Sequence, residues 1–147
     1  MIQEITQYLG RIQEQALQLG AAPEVFAGVE SVDAFVDLFL SPRAIAFCAR
    51  HHYPNTSTFR LFKGRGLEAR GIYIDGGSVT LVNPARAILI GRTIATVRCD
   101  SSDVPHEVIV LHGAKALVTA SKWAVVKTVV EEGSTCIKTT NDNAIVI

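Results

Sequence analysis

The 147-residue chain has little charge and no excess of either sign. Charged residues make up 19% of it, and 14 Lys and Arg balance 14 Asp and Glu. Residues 1–70 and residues 71–147 each carry seven of either sign. A nucleic-acid-binding arm or an acidic tail would appear as a block of like charge. The composition therefore predicts no nucleic-acid partner, and near-neutrality removes the charge repulsion that opposes self-association.

Cysteines and long apolar runs are also scarce. The three cysteines, Cys48, Cys99 and Cys136, are widely spaced and odd in number, which predicts neither a disulfide framework nor a zinc site. No apolar run approaches the roughly 20 residues that cross a bilayer. The first residues, MIQEITQYLGRIQEQ, are too polar for a signal peptide. We therefore expect a cytoplasmic protein with reduced cysteines and no membrane contact.

The first part of the chain, residues 1–66, has the periodicity of helices. An apolar stripe with heptad spacing consists of Ile2, Ile5, Leu9, Ile12, Ala16 and Leu19. Two interpretations stay open, a helix packed within its own domain or a bundle between subunits. In the second, Ile2, Ile5, Leu9 and Ile12 are interface residues. Ser31 and Ser41 are predicted N-caps, with Pro42 in the first turn of the second helix, and TSTFRLFKGRG predicts a short helix with a Thr or Ser cap.

From residue 71 the pattern changes to short strands. Runs of apolar and β-branched residues alternate with turn residues, and no segment long enough for a helix separates them. Among these turn signals, DGG at residues 75–77 predicts a hairpin. Residues 113–147 repeat every ten, as GAKALVTASK, WAVVKTVVEE, GSTCIKTTND and NAIVI. Because ten is an even number, this step keeps each side chain on the same face of its strand.

Two columns of the repeat contain only small or medium uncharged residues. They are Ala114, Ala124, Ser134 and Ala144, and then Ala116, Val126, Cys136 and Val146. Such columns favour a narrow interior whose residues recur in register, as in a β-solenoid or a coil of two ten-residue segments. We therefore predict an α+β fold, with a helical cluster over 1–66 and a short right-handed β-helix-like solenoid over 71–147. A β-sandwich or meander is the alternative, and SSDVP before His106 has the character of an insertion.

Several stretches resemble a known group of proteins. FCARHHYPNTSTFRLFKGRG…GIYIDGG, NPARAILIGRTIATV and LHGAKALVTAS resemble uncharacterised short proteins from phage-derived or mobile-element regions of anaerobic bacteria. The A-x-V-x-A … N-A-x-V texture of residues 113–147 resembles solenoid repeats. The resemblance covers residues 38–147 and implies the same two-part build, without a catalytic residue.

The candidate ligand-binding residues lie between the two parts. A basic loop with glycines contains Arg60, Lys63, Arg65 and Arg70, and it could hold a phosphate although it lacks the spacing of a P-loop. A solvated helix end is the other interpretation. His51 and His52 end a helix, where imidazole is electrostatically favoured. Cys48 and His52 share a helix face, but no third ligand follows, so we expect no metal and no cofactor.

These features favour a non-enzymatic structural or interaction protein that self-associates as a homo-oligomer. An exposed apolar strand tends to pair with another chain, so the NAIVI segment makes Ala144, Val146 and Ile147 candidate interface residues. The alternative is an enzyme or a small-ligand-binding protein with a site at the junction of the two parts, using His51, His52 or the basic loop. No catalytic residue is assigned, because no paired carboxylates stand out.

Overall fold

The computed structural model describes residues 10–15, 17–20, 32–39, 41–53, 55–60, 62–63 and 66–147. The chain divides into two compact units, Met1–Thr58 and Phe59–Ile147. Helices come first and a solenoid of parallel strands follows, so the predicted α+β class is confirmed. The predicted Ile2, Ile5, Leu9 and Ser31 lie outside the described residues.

The described helices are short, as their closely spaced caps predict. Residues 10–15 and 17–18 are helical, and Ile12 is buried there. Three further helices follow, α1 Val32–Phe39, α2 Pro42–His51 and α3 Thr56–Arg60. None of the described helices is long and apolar enough to cross a bilayer.

Helix α2 has the predicted start and helix α3 has a different cap. The Ala44 N–H donates to Ser41 Oγ at 3.2 Å, which confirms Ser41 as the N-cap of α2. The helix ends at His51, and His52 is left-handed, with φ 55°. At α3 the cap is Asn55 instead of a Thr or Ser, because its Oδ1 accepts the Thr58 N–H at 2.9 Å.

The second unit is a two-walled solenoid. A 3₁₀ helix, Leu67–Arg70, precedes nine strands in the described residues. They are β1 Ile72–Ile74, β2 Gly77–Val82, β3 Arg86–Ile90, β4 Thr93–Cys99, β5 His106–Leu111, β6 Lys115–Ala120, β7 Val125–Val130, β8 Thr135–Thr140 and β9 Ile145–Val146. Strands β1, β3, β5, β7 and β9 form the odd sheet, and β2, β4, β6 and β8 form the even sheet. Every pairing is parallel, so each of about four coils adds one strand to either wall.

The register shows what the ten-residue repeat means. In the last coils Ala116 stacks on Cys136, so one coil contains two repeats and each repeat supplies one wall. Earlier coils differ in length. The first, in which Ile72 pairs with Ile88, is shorter than two repeats, and the next, in which Arg86 pairs with Glu107, is slightly longer. The longer coil contains residues 100–105 between β4 and β5, where the sequence predicts an insertion.

A buried histidine and an amide–carboxylate pair hold this insertion. The His106 Nδ1 lies 2.8 Å from the Pro84 carbonyl oxygen, and its Nε2 lies 3.0 Å from that of Ser101. The Asn83 Nδ2 donates to Asp100 Oδ1 at 2.7 Å, and the Asp100 N–H donates back to Asn83 Oδ1 at 2.8 Å. These bonds satisfy backbone groups that an irregular connection could not pair in the ladders.

The interior of the solenoid contains the predicted columns of small residues. Ala114, Ala116, Ala124 and Val126 are fully or almost fully buried, and Cys136, Ala144 and Val146 pack against this core while partly buried. Alternate residues of β4 and β6 are buried and exposed, as a two-residue period requires. The small side chains let the two walls approach across a narrow interior.

The inner face becomes polar in the last described coil. Lys138 of β8 stacks in register on Val118, and Thr140 stacks on Ala120. Both positions are exposed in β8, whereas their partners in β6 are buried. The inner face of the solenoid is therefore exposed to solvent at this coil.

The corners between the walls are tight left-handed turns. Lys122 and Trp123 have φ values of 52° and 65°, and Asp142 and Asn143 have 51° and 60°. Two consecutive left-handed residues describe a type I′ turn, and an N–H to C=O bond from Ala124 to Ser121 closes the first of them at 3.1 Å. Asn and Asp accept this conformation readily, whereas Lys and Trp do so at a cost.

The alternation of faces gives a direct test on two adjacent residues. Val118 of β6 faces the interior and is 1% exposed, while Thr119 faces solvent. We expect Val118→Ala to lower the free energy of unfolding by about 2–3 kcal/mol, because it removes buried methyl groups and leaves a cavity. Thr119→Ala is the control and should change it by less than about 0.5 kcal/mol. Urea unfolding measures both, and equal losses would contradict the assigned faces.

Strand β9 gives a second test. It pairs with β7 through bonds such as Ile145 N–H to the Ala124 carbonyl at 2.9 Å and Ile147 N–H to the Val126 carbonyl at 2.8 Å. Deleting residues 143–147 should lower the melting temperature, because it breaks this ladder and exposes the inner face at Val126. An unchanged melting temperature in differential scanning calorimetry would show that β9 contributes nothing to the fold.

Candidate functional site

A cleft of about 440 Å³ in the solenoid unit gathers positive charge. It is lined by Arg60, Lys63, Asp75, Gly77 and Arg92. The residues come from three places: α3 and the residues after it, the corner between β1 and β2, and the corner between β3 and β4. Three cations and one carboxylate leave the cleft with a net double positive charge.

Asp75 positions the other residues of this cleft. Its Oδ2 accepts the Arg60 Nε–H at 2.5 Å, and its Oδ1 accepts the backbone N–H of Arg92 at 2.8 Å. Its carbonyl oxygen accepts from the Lys63 Nζ at 3.2 Å. The residue has a φ of 48°, which Asp tolerates better than most residues. One left-handed residue therefore connects all three basic segments.

The same contacts set the ionisation of Asp75. The hydrogen bond from Arg60 lowers the pKa of the Asp75 carboxyl below its ordinary value, and the Arg92 N–H adds to this effect. A group with a lowered folded-state pKa stabilises the protein above its unfolded pKa and loses that contribution as the pH falls through the folded value. The carboxylate is therefore charged throughout the neutral pH range, and the four charged side chains of the cleft keep their net double positive charge.

The cations keep donors beyond these bonds. A guanidinium carries five N–H donors and an ammonium three. Arg60 directs its Nε and, at 3.4 Å, one Nη toward Asp75. The Arg92 side chain is exposed and forms no ion pair or hydrogen bond with any residue in the described ranges. The cleft is thus lined by charged donors that a ligand could use.

The structure brings together only some of the predicted ligand residues. Arg60 and Lys63 line the cleft, and Arg65 lies outside the described residues. Arg70 ends the 3₁₀ helix and does not line this cleft. His51 and His52 belong to the other unit, where the His51 ring lies 4.4 Å from that of Phe47 and His52 caps α2.

The predicted interface residues have different exposures within one chain. Ala144 and Val146 are half-buried on the inner face, whereas Ile147 is 67% exposed. Their role in an interface stays a prediction. Ile12 is buried, and the other three stripe residues assigned to an interface lie outside the described ranges.

Exposed apolar side chains lie on the outer face of the odd sheet and at the corner that precedes β7. Trp123, Val125, Ile145 and Ile147 are 66%, 40%, 54% and 67% exposed. Val125 and Ile145 are register partners on β7 and β9, and Trp123 and Ile147 are each two residues along from them. The four side chains form the outer patch, and Lys122, Lys127 and Asp142 lie beside it in the sequence and register.

A buried histidine–glutamate pair connects two successive corners of the solenoid. The His112 Nδ1 lies 3.2 Å from Glu131 Oε1, and the two side chains are 7% and 2% exposed. The same oxygen accepts the His112 backbone N–H at 2.7 Å. The Phe59 ring lies 5.5 Å from the imidazole and screens it from one side. This arrangement fixes the corner after β5 against the corner after β7.

Two thiols on the inner face lack the properties of nucleophiles. Burial, with a smaller effect of the Asp100 charge, raises the pKa of Cys99 to about 11. Burial also raises the pKa of Cys136, partly offset by Lys138. Reactive thiols have lowered pKa values and partial exposure, so both residues act as small apolar side chains of the core.

No known protein family, curated protein or solved structure matches the chain.

Sequence reasoning missed Arg92, the buried pair and Trp123, and it assigned one turn wrongly. Arg92 joins Arg60 only because a shortened first coil stacks the β3–β4 corner beside the β1–β2 corner. The segment 75–77 is a corner and the predicted hairpin is wrong, because β1 and β2 lie in different sheets. Trp123, the single tryptophan, directly follows Ser121 and Lys122, and the serine is a turn-forming residue that could have indicated its exposure.

The buried pair can be tested against an adjacent acid. Glu131→Ala should lower the free energy of unfolding by about 2–4 kcal/mol, because it leaves the buried His112 N–H and imidazole without this acceptor. Glu132→Ala, at an exposed position, should change it by less than about 0.5 kcal/mol. Equal values for the two variants in urea unfolding would contradict a structural role for the pair.

Proposed function

We propose that this protein is a non-enzymatic structural or interaction module that self-associates through its solenoid. The observation that carries the proposal is the outer patch of Trp123, Val125, Ile145 and Ile147. Contiguous exposed apolar surface on a soluble protein marks an interaction site more often than isolated apolar residues do. Tryptophan is also the residue type most enriched among interface residues that dominate binding energy.

The surroundings of the patch favour a second copy as its partner. Lys122 and Lys127 supply positive charge and Asp142 supplies negative charge beside the apolar residues. A twofold interface brings the same surface together twice, so a rim with both signs can complement itself. The neutral net charge of the chain adds no repulsion between copies.

The edge of the odd sheet extends the same surface. Among the described strands β9 pairs only with β7, so its other edge presents backbone donors and acceptors next to the patch. A second copy that pairs along this edge would continue the sheet and place its own outer patch beside the first. Stacking a copy on β8 is less favourable, because it would enclose the Lys138 ammonium on the inner face of the coil.

Two other parts of this proposal concern the location and the origin of the protein. The three cysteines form no disulfide, which supports a reducing compartment such as the cytoplasm. A phage-derived or mobile-element origin is an expectation from the resemblance alone. A small-ligand-binding role is the alternative function, and the basic cleft is the observation that favours it.

The proposal is tested by the oligomeric state of the full chain and its variants. In size-exclusion chromatography with multi-angle light scattering, we expect the unmodified protein to form an oligomer. Trp123→Asn and Ile145→Lys should each weaken it about tenfold or more, since they remove apolar area from the centre of the interface. Asparagine suits the left-handed backbone of residue 123, so the first variant keeps the corner.

Ile94→Lys is the matched control, because Ile94 is similarly exposed on the outer face of the even sheet. It should leave the oligomer unchanged. A monomer at all concentrations, or an equal loss in the Ile94 variant, would overturn the role of the outer patch.

A further inference from the structure

The basic cleft has the charge of a site for an anion. Arg60, Lys63 and Arg92 contribute three positive charges and Asp75 one negative charge. The Asp75 carboxylate already accepts hydrogen bonds from the Arg60 side chain and the Arg92 backbone N–H. We propose that this cleft binds a phosphate-class dianion carried by a small molecule. The proposal is independent of self-association, since none of these residues belongs to the outer patch.

The chemistry of the donors selects the anion. A dianion neutralises the net double positive charge of the cleft, whereas a monocarboxylate leaves one positive charge in the cleft unneutralised. Arginine offers parallel N–H donors that match two oxygens of a phosphate, and lysine adds a point charge. Arg92 and Lys63 are exposed, so a phosphate can reach them without displacing a buried group.

The site is held in place before a ligand arrives. Asp75 connects the Arg60 guanidinium, the Lys63 ammonium and the Arg92 backbone, with contacts of 2.5, 3.2 and 2.8 Å. The corner itself is fixed from below, because the Gly76 N–H donates to Thr93 Oγ1 at 3.0 Å and the buried Thr93 hydroxyl donates to the Ile90 carbonyl at 2.9 Å. A site that needs little rearrangement loses less free energy on binding.

The size and surroundings of the cleft favour a small ligand over a nucleic acid. Its volume of about 440 Å³ lies within the range of small-molecule sites. Gly77 on its lining leaves open space, since a Cβ there would meet no atom within 4 Å. A nucleic acid needs a track of several cations, whereas the chain as a whole is neutral and its outer even face has only scattered ones such as Lys115 and Arg98.

The test uses the full chain with inorganic phosphate and methyl phosphate as probes. Phosphorus NMR line broadening should show saturable binding of both, and the Nε–H signals of Arg60 and Arg92 should shift with the same Kd. Acetate at equal concentration should compete weakly. Arg92→Gln and Lys63→Gln should each weaken phosphate binding about tenfold, because each removes charge-assisted hydrogen bonds.

Lys115→Gln is the control, because it removes the same charge from an exposed site on the even sheet. It should change the Kd less than about twofold. The absence of saturable phosphate binding, or equal weakening in the Lys115 variant, would overturn the proposal. Tighter binding of a single-stranded RNA oligonucleotide, lost in the same cleft variants, would also overturn it and would assign the cleft to nucleic acid.

Discussion

The parallel hydrogen-bond ladder between successive coils is the interaction on which the solenoid depends. Parallel pairing places each residue beside the residue one coil away, so the length of the coil fixes which side chains stack. In the last coils this length is two repeats, which sets Ala116 beside Cys136. Interior positions must then be small or apolar in every coil whose interior is dry, because a large side chain in one wall would push the facing wall away. Lys138 occupies an inner position only in the last described coil, where that position is exposed.

The two described features with functional potential lie at places where the ladder is interrupted or ends. The cleft forms at two corners, where Asp75 and Arg92 leave the walls, and the outer patch lies beside the edge of β9. At such places the parallel pairing no longer fixes the position of each residue, so backbone groups and side chains can face solvent. The two sheets thus form a rigid scaffold, and the corners and edges are the parts that can contact other molecules.

The solenoid could be predicted from the sequence because its repeat is an even number of residues. That parity assigns Ala114, Ala124 and Val126 to one face without any knowledge of the coil. The helix cap at Ser41 could be predicted from its own side chain and the following Pro42. These are local signals, and the physical effects behind them act over a few residues.

The cleft could be predicted only in part. Arg60 and Lys63 are close in the sequence, so their proximity follows from it, whereas Arg92 joins them through the register of the first coil. That coil is shorter than the regular repeat pair, and no turn signal gives its length in advance. The buried pair of His112 and Glu131 likewise depends on which corners stack, which the ladder decides.

The register also restricts how such a chain can change length. An insertion of a single residue within a wall exchanges its inner and outer faces, and an insertion of one repeat moves each later strand to the opposite wall. Only the addition of a whole coil, made of two repeats in the regular part, returns every later residue to an equivalent environment. Growth or shortening of this protein by gene duplication and deletion would therefore proceed in whole coils. Smaller changes in length would occur at the corners, as in the connection formed by residues 100–105.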